Sequence, residues 1–117
     1  MPMSEIKRTV LALATILAIT TEASANYYDG NRLLEVCTSN DAGLRGICYG
    51  YIIGVHDWSG ECVTAPGGWN HDTPTGVTGG QVEKVVMLWL QEHPGDLHQS
   101  ASYLIARALN NAWPCPQ

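Results

Sequence analysis

Residues 42–59, AGLRGICYGYIIGVHDWS, decide the fold. Leu44, Ile47, Cys48, Tyr51, Ile52, Val55, Trp58 and Ser59 recur at i, i+3, i+4 spacing and form one broad face of a helix. Ser39-Asn40-Asp41 supplies the preceding turn and a cap. Gly46, Gly50 and Gly54 run down the flank at i, i+4, i+8, with Asp57 one turn beyond. Each interior glycine costs up to about 1 kcal/mol of helix propensity. Three in register therefore predict close backbone approach by another element, which a Cβ would block. Asp57 reads either as a paired or partner-contacting carboxylate or as a solvated one near the helix end.

The neighbouring segments are helical too. A first helix is expected from near Asn31 to Thr38, burying Leu33, Leu34 and Cys37, with Asp29 or Asn31 as its cap. Downstream, Thr78 and Gln81 spell a T-x-x-Q capping box, with Val77 and Val82 at the staple positions. The helix they open places Val82, Val85, Val86 and Trp89 on one face, while Met87 and Leu88 cover other sides. Such all-round apolarity predicts a central helix or a dimer face. Pro94-Gly95 ends it, and Asp96 is expected to cap a fourth helix with Leu97, Ala101, Leu104, Ile105, Ala108 and Ala112 inward. No strand-type alternation, hairpin dipeptide or repeat occurs. The expectation is an all-α domain of four to five helices.

Residues 60–77, GECVTAPGGWNHDTPTGV, interrupt this pattern. A long Gly/Pro-rich connection in a small domain is usually functional or disordered. Trp69 gives it an apolar anchor, for its own core or for a partner.

The N-terminus reads as an export signal over residues 1–25. Lys7 and Arg8 precede the apolar run TVLALATILAIT of residues 9–20, too short to cross a bilayer of about 30 Å, and Ala23-Ser24-Ala25 ends it as a cleavage site. The mature domain is then residues 26–117. Of 117 residues 45% are apolar and 15% charged, with 6 Lys+Arg against 11 Asp+Glu and a net charge of −5. Losing Glu5, Lys7, Arg8 and Glu22 leaves that balance unchanged. The size allows one domain, the acidity argues against nucleic acid, and no later segment reads as a stable membrane anchor. The expected location is the periplasm.

All four cysteines, Cys37, Cys48, Cys62 and Cys115, lie in the mature part. An even count in a small exported domain reads as two disulfides, and the spacings match no zinc signature. Cys48 and Cys62 are separated by about 20 Å along a helix and its exit, too far to bridge. Cys37–Cys48 suits a helical hairpin, and Cys62–Cys115 then staples the long connection to the C-terminus.

His56-Asp57 and His71-Asp72 both spell HD, but metal-hydrolase chemistry needs further ligands on helices. His93 and His98 flank Pro94-Gly95, so no single helix presents both. No nucleophile elbow, phosphate-cradling loop or H-E-x-x-H is present. The chain is expected to be no enzyme and to hold no metal or cofactor.

The order Cys37, CYGYIIGVHD (48–57), Cys62-Val63, GVTGGQVEKVVMLWLQEHP (76–94) and ARALNNAWPC (106–115) resembles the Rap/Tai family of type VI secretion immunity proteins across nearly the whole mature chain. The family's C-V-P is here Cys62-Val63-Thr64, and the connection to Val77 is longer. The resemblance implies an exported, disulfide-bonded helical protein, commonly a homodimer, that plugs the active-site cleft of a secreted peptidoglycan amidase toxin. On that reading Trp69, His71 and Asp72, with Glu92, His93 and Asp96, are the expected toxin contacts, and Met87 and Leu88 the dimer face. Two rival expectations are a small periplasmic acid-stress chaperone, for which the histidines and carboxylates would be the sensors, and an envelope protein with no toxin partner.

Overall fold

The computed structural model describes residues 27–60, 62 and 70–116. The expected export signal, residues 1–25, and Trp69 lie outside them. Four α-helices follow in order, α1 (Gly30–Cys37), α2 (Ala42–Ser59), α3 (Gly79–Glu92) and α4 (Ala101–Ala112), with a short 3-10 turn, Pro94–Asp96, between the last two. No strand occurs among the described residues, and no helix there is long and apolar enough to cross a membrane.

The caps explain the boundaries. Asp29 accepts from Arg32 N at 2.8 Å, and Asp41 accepts from Leu44 N at 2.9 Å. Each cap satisfies an amide that the first turn leaves without a partner. Thr78 and Gln81 close their box in both directions, at 2.7 and 3.3 Å. The fourth helix differs from expectation. Its cap is Ser100, bonded to Tyr103 N at 3.3 Å, and not Asp96. Pro94-Gly95-Asp96 forms the separate turn, which carries the buried Leu97 into the core before the helix begins.

Leu33 and Val36 of α1, Cys48 and Ile52 of α2, Val86 and Leu90 of α3, and Leu104, Ile105 and Leu109 of α4 are fully buried and meet in one core. Tyr28 and the first turn of α1 are zipped to the lead-in of α4. Gly30 N bonds to Gln99 O, Asn31 N to Leu97 O and Ala101 N to Tyr28 O, at 2.9–3.0 Å. Here glycine is required, because a Cβ on Gly30 would lie 2.5 Å from Leu104 Cδ1 and 2.9 Å from the Leu97 backbone.

The glycine flank of α2 is a correction. Gly46, Gly50 and Gly54 are exposed, and a Cβ on any of them would meet nothing within 4 Å. No described element of the chain approaches there. The broad face of α2 is narrower than its spacing suggests as well. Ile47 is 45% exposed and Trp58 79% exposed, while only Cys48, Ile52 and Ser59 of α2 are buried and Leu44, Tyr51 and Val55 are half-buried against the core.

Both disulfides join the expected partners. Cys37–Cys48 closes the α1–α2 hairpin with a Cα–Cα distance of 5.0 Å, and Cys62–Cys115 ties the chain after α2 to the C-terminus at 5.6 Å.

Candidate functional site

The expected contact residues fall at two places. The first is the C-terminal end of α2. Gly60, with φ +63°, turns the chain out of the helix, a conformation that glycine adopts without strain. Residues 70–74 return across the same end and are pinned to α4. Asn110 Nδ2 donates to Asn70 O, and Asp72 N donates to Trp113 O, both at 2.8 Å.

His71 stands between these anchors. It is 3% exposed, so its ring is a support of the segment rather than a surface presented to a partner, contrary to its expected place among the contacts. Ser59 Oγ donates to the His56 carbonyl at 3.1 Å. His71 Nε2 lies 3.1 Å from Ser59 Oγ and 3.3 Å from that carbonyl. A carbonyl only accepts, so Nε2 carries the proton and Nδ1 accepts from the Thr73 hydroxyl at 2.8 Å. Thr73 Oγ1 is also 3.2 Å from His56 Nε2, and His56 Nδ1 is 3.2 Å from Asp57 Oδ1.

The two rings face each other with centroids 4.5 Å apart. Burial pushes the His71 pKa below the ordinary histidine value, and the nearby His56 acts the same way. The His56 carbonyl and Asp72 oppose them without reversing the shift.

Between this frame and the returning segment lies an open cavity of about 420 Å³. Its lining includes both His-Asp pairs, with Thr73, Pro74 and Val77. Asp57 and Asp72 are exposed at it. Among the described residues no three His, Cys, Asp or Glu side chains are placed to share a metal ion.

The second place is the corner between α3 and α4. His93 ends α3, its ring stacked on Trp89 at 3.9 Å and nearly parallel, and its Nδ1 donates to Trp89 O at 2.7 Å. Arg107 lies over the same Trp89 ring at 5.2 Å and over Tyr103 at 5.5 Å. It also reaches Asp96 at 3.7 Å, and Gln99 Nε2 donates to Asp96 at 3.0 Å. His93 and Asp96 thus build the corner, while Glu92 points to solvent. On the outer side of α3, Leu88 is 51% exposed and Met87 half-buried.

Sequence reasoning did not name His56, Ser59 and Thr73 as partners of His71. The repeated HD dipeptide was the available signal. Its meaning depends on a chain return that no periodicity encodes.

A family model described as Rap1a immunity proteins matches residues 29–115. No curated protein and no solved structure matches the chain.

Proposed function

The chain belongs to the Rap1a immunity protein family, and on that premise we propose that it protects its cell by binding a type VI-secreted peptidoglycan amidase in the periplasm and blocking the toxin's active-site cleft. The observation that carries this reading is the extent of the family match, which takes in all four helices and three of the four cysteines before ending on the fourth, Cys115. Proteins of an immunity family generally act by binding rather than by catalysis, and the proposed mechanism is steric.

Several features support the finer reading. The N-terminal 25 residues have the pattern of an export signal, and two disulfides suit an oxidising compartment. Asp72 and Glu92 are exposed at the two places described above. Trp69 belongs to the same connection as Asp72 and is retained as a proposed contact. Homodimerisation is proposed through Met87 and Leu88, since Leu88 leaves an apolar side chain half in solvent.

The decisive experiment is co-purification with a candidate type VI-secreted peptidoglycan amidase, followed by a cell-wall cleavage assay. A stable complex and loss of cleavage at equimolar ratio are expected. Full cleavage in the presence of excess immunity chain would overturn the inhibitor reading for that toxin. Sedimentation of wild type against Leu88→Lys tests the dimer, with a shift to monomer expected in the variant.

A further inference from the structure

We propose that Cys62–Cys115 is a redox latch: its reduction by a dithiol releases the returning segment, residues 70–74, and weakens the hold on the protein partner, while Cys37–Cys48 and the helical core stay closed. The identity of that partner rests on the immunity reading, but the latch stands on the chain alone.

The two disulfides have different surroundings. Cys37 is the last residue of α1 and packs against the core, and Cys48, inside α2, is fully buried. Cys62 and Cys115 are each half-buried and take no part in that core cluster. Cys62 follows Gly60, the C-cap of α2, and Cys115 follows Trp113, the C-cap of α4. The bond therefore joins two stretches of chain that have already left their helices. A thiolate must reach a sulfur to exchange with it, so access decides which bond is attacked first.

What the latch holds is the chain return. Asp72 N donates to Trp113 O, and Asn110 Nδ2 donates to Asn70 O, both at 2.8 Å. Trp113 belongs to the tail that Cys115 ties down, and an untied chain end is where order is lost first. His71 lies between these two anchors, with its ring against Ser59 and Thr73. Losing the tail thus removes the support of Asp72 and opens the cavity beside it. The fully buried residues of the four helices do not depend on that tail.

The exchange is balanced. One thiolate of the dithiol attacks Sγ of Cys62 or Cys115, the Sγ–Sγ bond breaks, and the displaced cysteine leaves as a thiolate that takes up a proton. The reductant's second thiolate then attacks its own sulfur in the mixed disulfide and releases the other cysteine, which is protonated in turn. The chain gains two electrons and two protons, and the dithiol becomes a disulfide. A segment fixed before binding loses little freedom when a partner arrives, so freeing it lowers affinity.

The test uses the oxidised mature chain, dithiothreitol as the dithiol, and iodoacetamide to trap thiols under native conditions, read by peptide mass spectrometry. Cys62 and Cys115 should be trapped at least about tenfold faster than Cys37 and Cys48. In NMR spectra of the singly reduced chain, the amide signals of His71, Asp72 and Thr73 should move to unstructured positions while those of α1 and α3 stay. The Cys62→Ser/Cys115→Ser chain should show the same released signals without dithiothreitol. Equal trapping of all four cysteines, earlier trapping of Cys37 and Cys48, unmoved signals at residues 71–73, or loss of helical circular dichroism in either form would overturn the proposal.

A second arm measures binding to a candidate type VI-secreted peptidoglycan amidase. The serine variant should bind at least about tenfold more weakly than the oxidised chain. Equal affinity would also overturn the proposal, while leaving the immunity reading intact. Absence of any complex with the oxidised wild-type chain would strike the immunity reading, and the trapping and NMR measurements would still decide the latch.

Discussion

His56 and His71 lie ring to ring at 4.5 Å, one on the last turns of α2 and the other on a segment that has left the helix and come back. Thr73 bridges them, at 3.2 Å from one ring and 2.8 Å from the other. The docking of residues 70–74 on α2 therefore depends on an imidazole that burial keeps uncharged.

The pH dependence follows from that burial. The His71 pKa is lowered in the folded chain, so the unfolded chain binds the proton more readily. This contribution to stability is complete above the unfolded value of about 6.5 and declines as pH falls below it. Among the described residues, the other titratable groups at the cavity are His56, Asp57 and Asp72. Urea midpoints should fall between about pH 7.5 and about pH 5, and the fall should be smaller in His71→Gln. A midpoint that rises on acidification would contradict the assignment.

Thr73→Val keeps the shape of the side chain and removes its hydroxyl. The His71 Nδ1 acceptor then loses its partner in a buried place, which should destabilise the chain by about 1–2 kcal/mol. Differential scanning calorimetry reads the change. Amide exchange at residues 71–73 should speed up more than exchange in α3.

Glycine-to-alanine substitutions separate two kinds of glycine. Gly30→Ala drives a methyl into Leu104 and the Leu97 backbone and should destabilise by about 1–3 kcal/mol. Gly50→Ala meets open space on an exposed helix face and should stabilise the monomer by about 0.5–1 kcal/mol. Thermal denaturation of the two variants should move in opposite directions.

The disulfides should differ in weight. Cys62–Cys115 spans 53 positions and Cys37–Cys48 spans 11. Loop-closure entropy assigns them about 4 and about 3 kcal/mol. Paired Cys→Ser variants, compared by urea unfolding, should show the larger loss for the longer span. The shorter one fixes the α1–α2 corner, so its loss should also accelerate exchange in α1.

The helices and their caps were largely legible. Asp29, Asp41 and the Thr78–Gln81 box lie within three residues of the amides they bond, so local sequence contains both partners. The start of α4 was not, because Asp96 and Ser100 are both good caps. The choice fell to the backbone pairing of Gln99 and Leu97 with Gly30 and Asn31 at the start of α1, a contact between distant parts of the chain. The face of α2 was overread for a similar reason. Spacing states that Ile47 and Trp58 point near the core direction, while their cover depends on how far α1, α3 and α4 reach.

Two levels of information are thus separate in this protein. Sequence alone determined the all-α class, the helix order and the cysteine pairing, since helical period, caps and helix length are short-range properties. Tertiary structure alone decided that Gly30 rather than the α2 glycines is packed tight, that His71 is a buried support, and that both His-Asp pairs share one cavity. Those outcomes require residues far apart in the chain to meet across the connection that follows α2. Its return is set by the Asn110 and Trp113 hydrogen bonds and by the Cys62–Cys115 bond, none of which leaves a periodic trace.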